Sequence, residues 1–206
     1  MKNIISHHDF KHVDRVRNWA LQIAEGEGFK DLELVEVTAL LHDIGLAFNP
    51  ERSRHGQVGA EIAGKFLTEN SLLLEEKISR VTEAIKYHTV MRKRSKLLDI
   101  LQDADRLEAL GAVGIMRAFT SKSTWPEYNP DNIKGVMWGM SGRKHSGMFI
   151  REPAEKTIID QLNFQIHYYD NLATGTARRL AKPFVSYMKK YILQLEHELL
   201  SGQKTV

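Results

Sequence analysis

Residues 31–45 read DLELVEVTALLHDIG, an apolar helix that ends on a histidine and an acid. Leu34, Val37, Leu40 and Leu41 recur along it at helical spacing. Asp31 stands where an N-cap belongs, its carboxylate available to an orphan amide of the first turn. The helix is expected to stop around His42-Asp43-Ile44-Gly45. Asp43 follows Ala39-Leu40-Leu41 at the edge of the apolar stripe, where an unpaired charge is costly. It needs compensation, either from solvent and a neighbouring Arg or Lys at a fraying end, or from a cation. Adjacent helical residues point about 100° apart, so both side chains reach one ion only from opposite flanks. Gly45 eases that strain if the helix ends there.

The same periodicity marks the neighbours of this segment. Val13, Val16, Ala20, Ile23 and Ala24 predict a helix over 8–26, closed by Gly26 and Gly28. Val58, Ile62, Ala63, Phe66 and Leu67 predict another over 55–70, and Ile78, Val81 and Ile85 a fourth over 74–89. A basic connection, Arg92-Lys93-Arg94-Ser95-Lys96, leads into a helical stretch expected over 96–119. From Thr120 the texture changes. Residues 121–153 hold Pro126, Pro130, Gly135, Gly139, Gly142, Gly147 and Pro153, the composition of a long loop or lid. Helical pattern returns over 154–172 and 175–200. Alternating apolar and polar runs bounded by turn signals are absent, so the expectation is an all-α bundle. It is organised as one domain over 1–206: a helical core over 1–120, a loop insert over 121–153, and C-terminal helices over 154–206 that pack on the core.

With 206 residues, the chain is long enough for one well-buried core. It has 29 Lys and Arg against 26 acids, a balance too even to indicate nucleic-acid binding. It has no cysteine, which excludes disulfides and thiolate metal sites, so any metal must be held by imidazole and carboxylate. No run approaches the ~20 apolar residues of a membrane span, and the N-terminus lacks the apolar stretch of a signal peptide. A cytoplasmic location is expected, without membrane or nucleic-acid partners; assembly as a homodimer is left open.

Of the nine histidines, His7, His8, His12, His42, His55 and His88 all precede residue 89, mostly near expected helix ends. Facing helices that bring such side chains together can hold a metal without cysteine. His8 and His12 lie one turn apart on one face. Asp103 and Asp105 interrupt an apolar run and point to different faces, and a salt bridge to Arg106 is one explanation of Asp103.

The ordered set His12, His42-Asp43 and Asp105 on successive helices resembles the HD-domain phosphohydrolase superfamily. The flanks carry the resemblance further: HDFKHVDRVRNWA, ALLHDIG, LQDADRLEALGAVGIMRAF and the closing DQLNFQIHYYDNLATGTARRLAKPFVSYMKKYI are similar to its small bacterial single-domain members. The resemblance implies that His12, His42, Asp43 and Asp105 ligate one divalent ion (Mn, Fe, Co, Ni, Zn or Mg). His8 matches a position that delivers a proton in related phosphodiesterases. His55 and His88 match histidines that bind a second metal in some relatives and contact phosphate or water in others. Some relatives place an acid just after the HDIG segment; here Leu46-Ala47-Phe48 stand there, and Glu51 arrives later, which leaves the general base unassigned.

Such a site suits hydrolysis of a phosphate ester or anhydride, with a nucleotide as the expected substrate. Arg15, Lys86, Arg106 and Arg143 are candidates to meet phosphate, and Arg117 has a similar claim. Trp125, Tyr128 and Trp138 either stack on a base or anchor the loop, the second being favoured. Gly111 and Gly114 suggest a helix–helix contact. Hydrolysis leads; the set His12, His42, Asp43, His55, His88 and Asp105 also resembles that of HD-type di-iron oxygenases, which are the alternative, and a non-catalytic nucleotide-binding module is a third.

Overall fold

In the computed structural model, which describes residues 10–48, 52–90, 94–140 and 156–201, helix α1 runs from Phe10 to Gly26. Its buried side chains are His12, Val16, Ala20, Ile23 and Ala24, one stripe at helical spacing. His12 therefore stands on the core face itself. Gly28, at φ +67°, turns the chain in the left-handed conformation that ends many helices, and Phe29 N–H donates to the Ala24 carbonyl at 2.8 Å. Helix α2 follows over Leu32–Leu41, capped as expected by Asp31, which accepts from Leu34 N–H at 3.2 Å.

A tight turn over 42–44 leads to the one-turn helix α3, Gly45–Phe48. A 3-10 turn at Arg52–Arg54 opens α4, His55–Glu69; then come α5, Glu75–Tyr87, and α6, Lys96–Glu108. Helices α1 to α6 and residues Leu172–Ala177 form one compact unit. Within it α1 packs on α2 and α6, α4 on α5, and α3 on α4. Asp103, wholly buried in α6, is a structural acid. It accepts from Thr174 N–H and Thr174 Oγ1, both at 2.8 Å, and from Ala173 N–H at 3.0 Å, and it pairs with Arg106 at 3.3 Å. The salt-bridge explanation of Asp103 thus holds, with backbone capping added to it.

The single helix expected over 96–119 is broken. Helix α6 stops at Glu108, and α7 begins at Gly111 and runs to Ser121. Gly111 adopts φ +67°, and a Cβ there would sit 3.3 Å from the Phe184 side chain; Gly114 lies so close to the Ala109 carbonyl that a Cβ has no room. The apolar spacing reads through this break because both helices bury one face. Gly111→Ala is expected to cost about 1–2 kcal/mol, since a side chain at positive φ is strained before any crowding is counted. Urea unfolding followed by circular dichroism measures it.

The second compact unit holds α7, the loop after it, helix α8 over Ile158–Ile166, a 3-10 turn at His167–Asn171, and helix α9 from Arg178 onward; α9 as a whole spans Gly175–Ser201. Of the expected insert, residues 122–140 are turns with one isolated bridge, Asn129–Asn132, the only strand-like pairing among the described residues. The loop is anchored by buried Ile133 and Met137 and by two polar side chains of α8. Asp160 accepts from Val136 N–H at 3.0 Å while forming a capping box with Thr157, and Asn163 donates to the Lys134 carbonyl at 2.8 Å. Trp125, Tyr128 and Trp138 are all half-buried, so the expected aromatic anchors are secondary to these groups. No described helix is long and apolar enough to cross a membrane.

Candidate metal centre

Helix α2 ends immediately before the histidine–aspartate pair, and this solves the orientation problem posed by adjacent residues. Ile44 N–H bonds back to Leu41 O at 3.2 Å and Leu46 N–H to Asp43 O at 2.9 Å, an i→i−3 pattern that winds the turn more tightly than an α-helix. The tightened turn lets His42 and Asp43 converge. His42 Nε2 lies 3.3 Å from Asp43 Oδ2. His12 Nε2, from α1, lies 3.4 Å from the same oxygen and 3.7 Å from Asp105 Oδ1 of α6. The other oxygen, Asp43 Oδ1, faces His55 Nε2 at 3.4 Å and His88 Nε2 at 3.5 Å. One carboxylate thus stands between two clusters, His12-His42-Asp43 and Asp43-His55-His88.

These side chains suit divalent cations. Donors each about 2.1 Å from one ion, at roughly 90–110° to one another, are about 3.0–3.4 Å apart, close to the separations observed here. His42 Nε2 is buried and finds no hydrogen-bonding geometry, an orphan polar atom that a cation would satisfy. His55 Nε2 and His88 Nε2 are 3.1 Å apart, a distance that calls for a shared proton or a shared cation. Behind the rings, His42 Nδ1–H donates to Ala39 O at 2.7 Å and His88 Nδ1–H to Ile85 O at 2.6 Å, which leaves each Nε2 lone pair facing inward. Burial works against a proton on His42, yet the carboxylates of Asp43 and Asp105 and the Ala39 carbonyl outweigh it and raise its pKa to about 9. Surroundings that draw a proton so strongly have the charge to take a cation in its place.

Close backbone packing sets the distance between the helices that carry the second cluster. A Cβ on Gly45 would collide with the His55 carbonyl, and one on Gly56 would come 3.0 Å from the Lys86 carbonyl. Both contacts are with main chain and cannot be relieved by a rotamer change. Gly45→Ala is accordingly expected to push α3 from α4 and lower metal stoichiometry at the His55-His88 side, as read by elemental analysis after dialysis.

The structure brings His12, His42, Asp43, His55, His88 and Asp105 together. Asp105 is the most open of them, its side chain 39% exposed against 6% for Asp43 and none for His12 and His42. His8 and Arg143 lie outside the described residues. Arg15 is bonded to Glu108 through Nε at 2.8 Å and Nη2 at 2.6 Å. Arg106 is engaged with Asp103 and, at 3.4 Å, with Gln102. Lys86 is exposed, its ammonium over the Tyr87 ring. Glu108, absent from the sequence candidates, is buried with Oε1 3.5 Å from His12 Nδ1.

The sequence pattern of the HD domain matches residues 9–110. Over 200 residues, 94% of this chain and 85% of its counterpart, the sequence is 30% identical to the YpgQ protein of Bacillus subtilis (strain 168). The crystal structure of B. subtilis YpgQ in complex with ADP is similar at a TM-score of 0.66, covering 93% of this chain and 86% of that one. A predicted HD superfamily hydrolase from an uncultured Thermotogales bacterium is similar at a TM-score of 0.62 and 26% identity, over 93% of this chain and 81% of that one. For an HD-superfamily hydrolase from Bacillus thuringiensis the TM-score is 0.64 and the identity 27%, over 94% and 87%. With this similarity along nearly its whole length, and its histidines and aspartates gathered at the junction of helices α1, α2, α4, α5 and α6, the chain belongs to the HD-domain family.

Proposed function

We propose that the protein is a metal-dependent phosphohydrolase that cleaves a phosphate ester or anhydride in a nucleotide, at a centre divided by Asp43. The observation that carries this reading is the placement of Asp43, whose two oxygens face different histidine pairs. His12, His42, Asp43 and Asp105 would hold one ion, and Asp43, His55 and His88 a second. Bound there, a divalent cation lowers the pKa of water to about 7 and offsets charge on a phosphoryl oxygen. The chain's own groups supply the rest. Asp105, the exposed carboxylate, marks the side from which substrate arrives. His8, four positions before His12 in the sequence, is assigned delivery of a proton to the leaving oxygen as the P–O bond breaks. Lys86 and Arg143 are assigned to the substrate phosphates, and Arg15 and Arg106 to the electrostatic background that their carboxylate partners moderate. A nucleotide is favoured because similar YpgQ crystallised with ADP.

A screen of nucleoside mono-, di- and triphosphates with added Mn2+, Co2+ or Mg2+, scoring phosphate and pyrophosphate separately, tests the reading. Orthophosphate identifies a phosphatase, and pyrophosphate from a triphosphate identifies cleavage between the α and β positions. Release of neither, from any compound with any ion, overturns the hydrolase reading. His88→Ala is expected to reduce Mn content from two ions per chain to one; a parent protein that never exceeds one ion refutes the second site. The facing Nε2 atoms of His55 and His88 also favour a second reading, a di-iron oxygenase, which iron loading with oxygen consumption would select.

A further inference from the structure

We infer that Glu108, held by Arg15, is a positioning residue for His12 and thereby sets the affinity of the His12-His42-Asp43-Asp105 half of the centre. The inference rests on the metal-dependent reading above. Glu108 lies one turn beyond Asp105 on α6, and Arg15 one turn beyond His12 on α1. The two residues meet directly across the helix pair that carries those ligands. Both nitrogens of the Arg15 fork, Nε at 2.8 Å and Nη2 at 2.6 Å, converge on one oxygen, Glu108 Oε1. That same oxygen stands 3.5 Å from His12 Nδ1, on the opposite side of the ring from Asp43 and Asp105. The groups thus run in a line: guanidinium, carboxylate, imidazole, acids.

The chemistry of that line is specific. A carboxylate behind Nδ1 favours the imidazole tautomer whose proton is at Nδ1, which leaves the Nε2 lone pair directed at the ion position and makes it more basic. Glu108 is 1% exposed, so its charge acts on His12 with little screening, and the guanidinium balances a charge that would otherwise be costly to bury. His42 and His88 use backbone carbonyls behind their rings, at 2.7 and 2.6 Å. At His12 the structure adds a full negative charge, so its first-ion ligand is tuned differently from the others. Asp103, the other wholly buried acid of α6, turns instead to the backbone at 173 and 174 and serves stability.

The test is titration of chelator-stripped protein with Mn2+ alone, free ion being followed by its electron paramagnetic resonance signal, beside the melting temperature of the metal-free protein. Glu108→Gln keeps the size and a polar contact to Arg15 but removes the charge. It is expected to weaken the tighter Mn2+ association by about 10–100-fold, the usual cost of losing an outer-shell partner. Arg15→Gln should weaken it in the same direction and less. Arg17→Gln is the control, since Arg17 pairs with Glu36 at 2.6 Å and with Asp14 on the same helix, away from His12, and should leave the affinity unchanged. If Glu108→Gln binds Mn2+ as tightly as the parent, whatever its melting temperature, the inference is overturned. Should Glu108→Gln fail to fold, Arg15→Gln decides, and unchanged affinity there overturns it too. A parent protein that binds no Mn2+ would instead sink the metal-dependent reading, and this inference with it.

Discussion

Asp43→Ala should lose both ions together, while Asp43→Asn should lose one. Among the described residues, alanine removes the one carboxylate that faces all four imidazoles, within 3.3–3.5 Å of His12, His42, His55 and His88. Asparagine keeps one oxygen ligand and replaces the other with an amide NH2, which donates and cannot ligate. Because Asp43 would ligate directly, the loss of affinity and turnover in the alanine variant should exceed the roughly 10–100-fold that follows removal of an outer-shell partner. Helical circular dichroism should persist, since Asp43 lies in the turn between α2 and α3 and not within either helix. Elemental analysis after loading with Mn2+ reads the result directly. An alanine variant that retained two ions per chain would remove the basis of the proposed centre.

The second large effect concerns the other acid of the same run. Asp103→Ala is expected to destabilise the fold by about 3–5 kcal/mol, the range for removing one partner of a buried charged network. It leaves the amides of Ala173 and Thr174 without their acceptor and Arg106 without its counter-charge. It also frees Thr174, whose hydroxyl accepts from Ala177 N–H at 3.2 Å and so caps the start of α9. Asp105→Ala should behave in the opposite way. Asp105 is partly exposed, so its loss should move stability by no more than about 0.5 kcal/mol while weakening the first ion. Denaturant unfolding paired with metal titration separates the two variants; equal unfolding midpoints for Asp103→Ala and Asp105→Ala would contradict the division.

These two acids show what was legible in the sequence. Their presence in an apolar run announced that something had to compensate them, and their opposite faces followed from helical geometry. What each one met depended on residues 70 positions later for Asp103 and 93 positions earlier for Asp105, contacts that no local pattern encodes. The cap at Asp31 and the end of α2 at the His42-Asp43 pair were readable because they are local. The break after Glu108 was not, since Gly111 and Gly114 sit in a run whose apolar spacing continues undisturbed. Glu108 itself reads as an ordinary solvated helix residue. Its only signal was arithmetic: it follows Asp105 by three positions, as Arg15 follows His12. The loop's anchors were obscured in the same way, because Asp160 and Asn163 act on backbone groups more than twenty residues upstream.

The absence of side chains at Gly45 and Gly56 has a consequence for which ions the protein can accept. At these two glycines main chain rests on main chain, which holds α3, α4 and α5 at close range. Discrimination by radius then follows from rigidity: Ca2+, with bonds of about 2.3–2.6 Å, should be refused at the His55-His88 side, while ions with bonds near 2.1 Å are admitted. In the proposed centre the fold itself, and not the identity of the donor atoms alone, would act as the gauge.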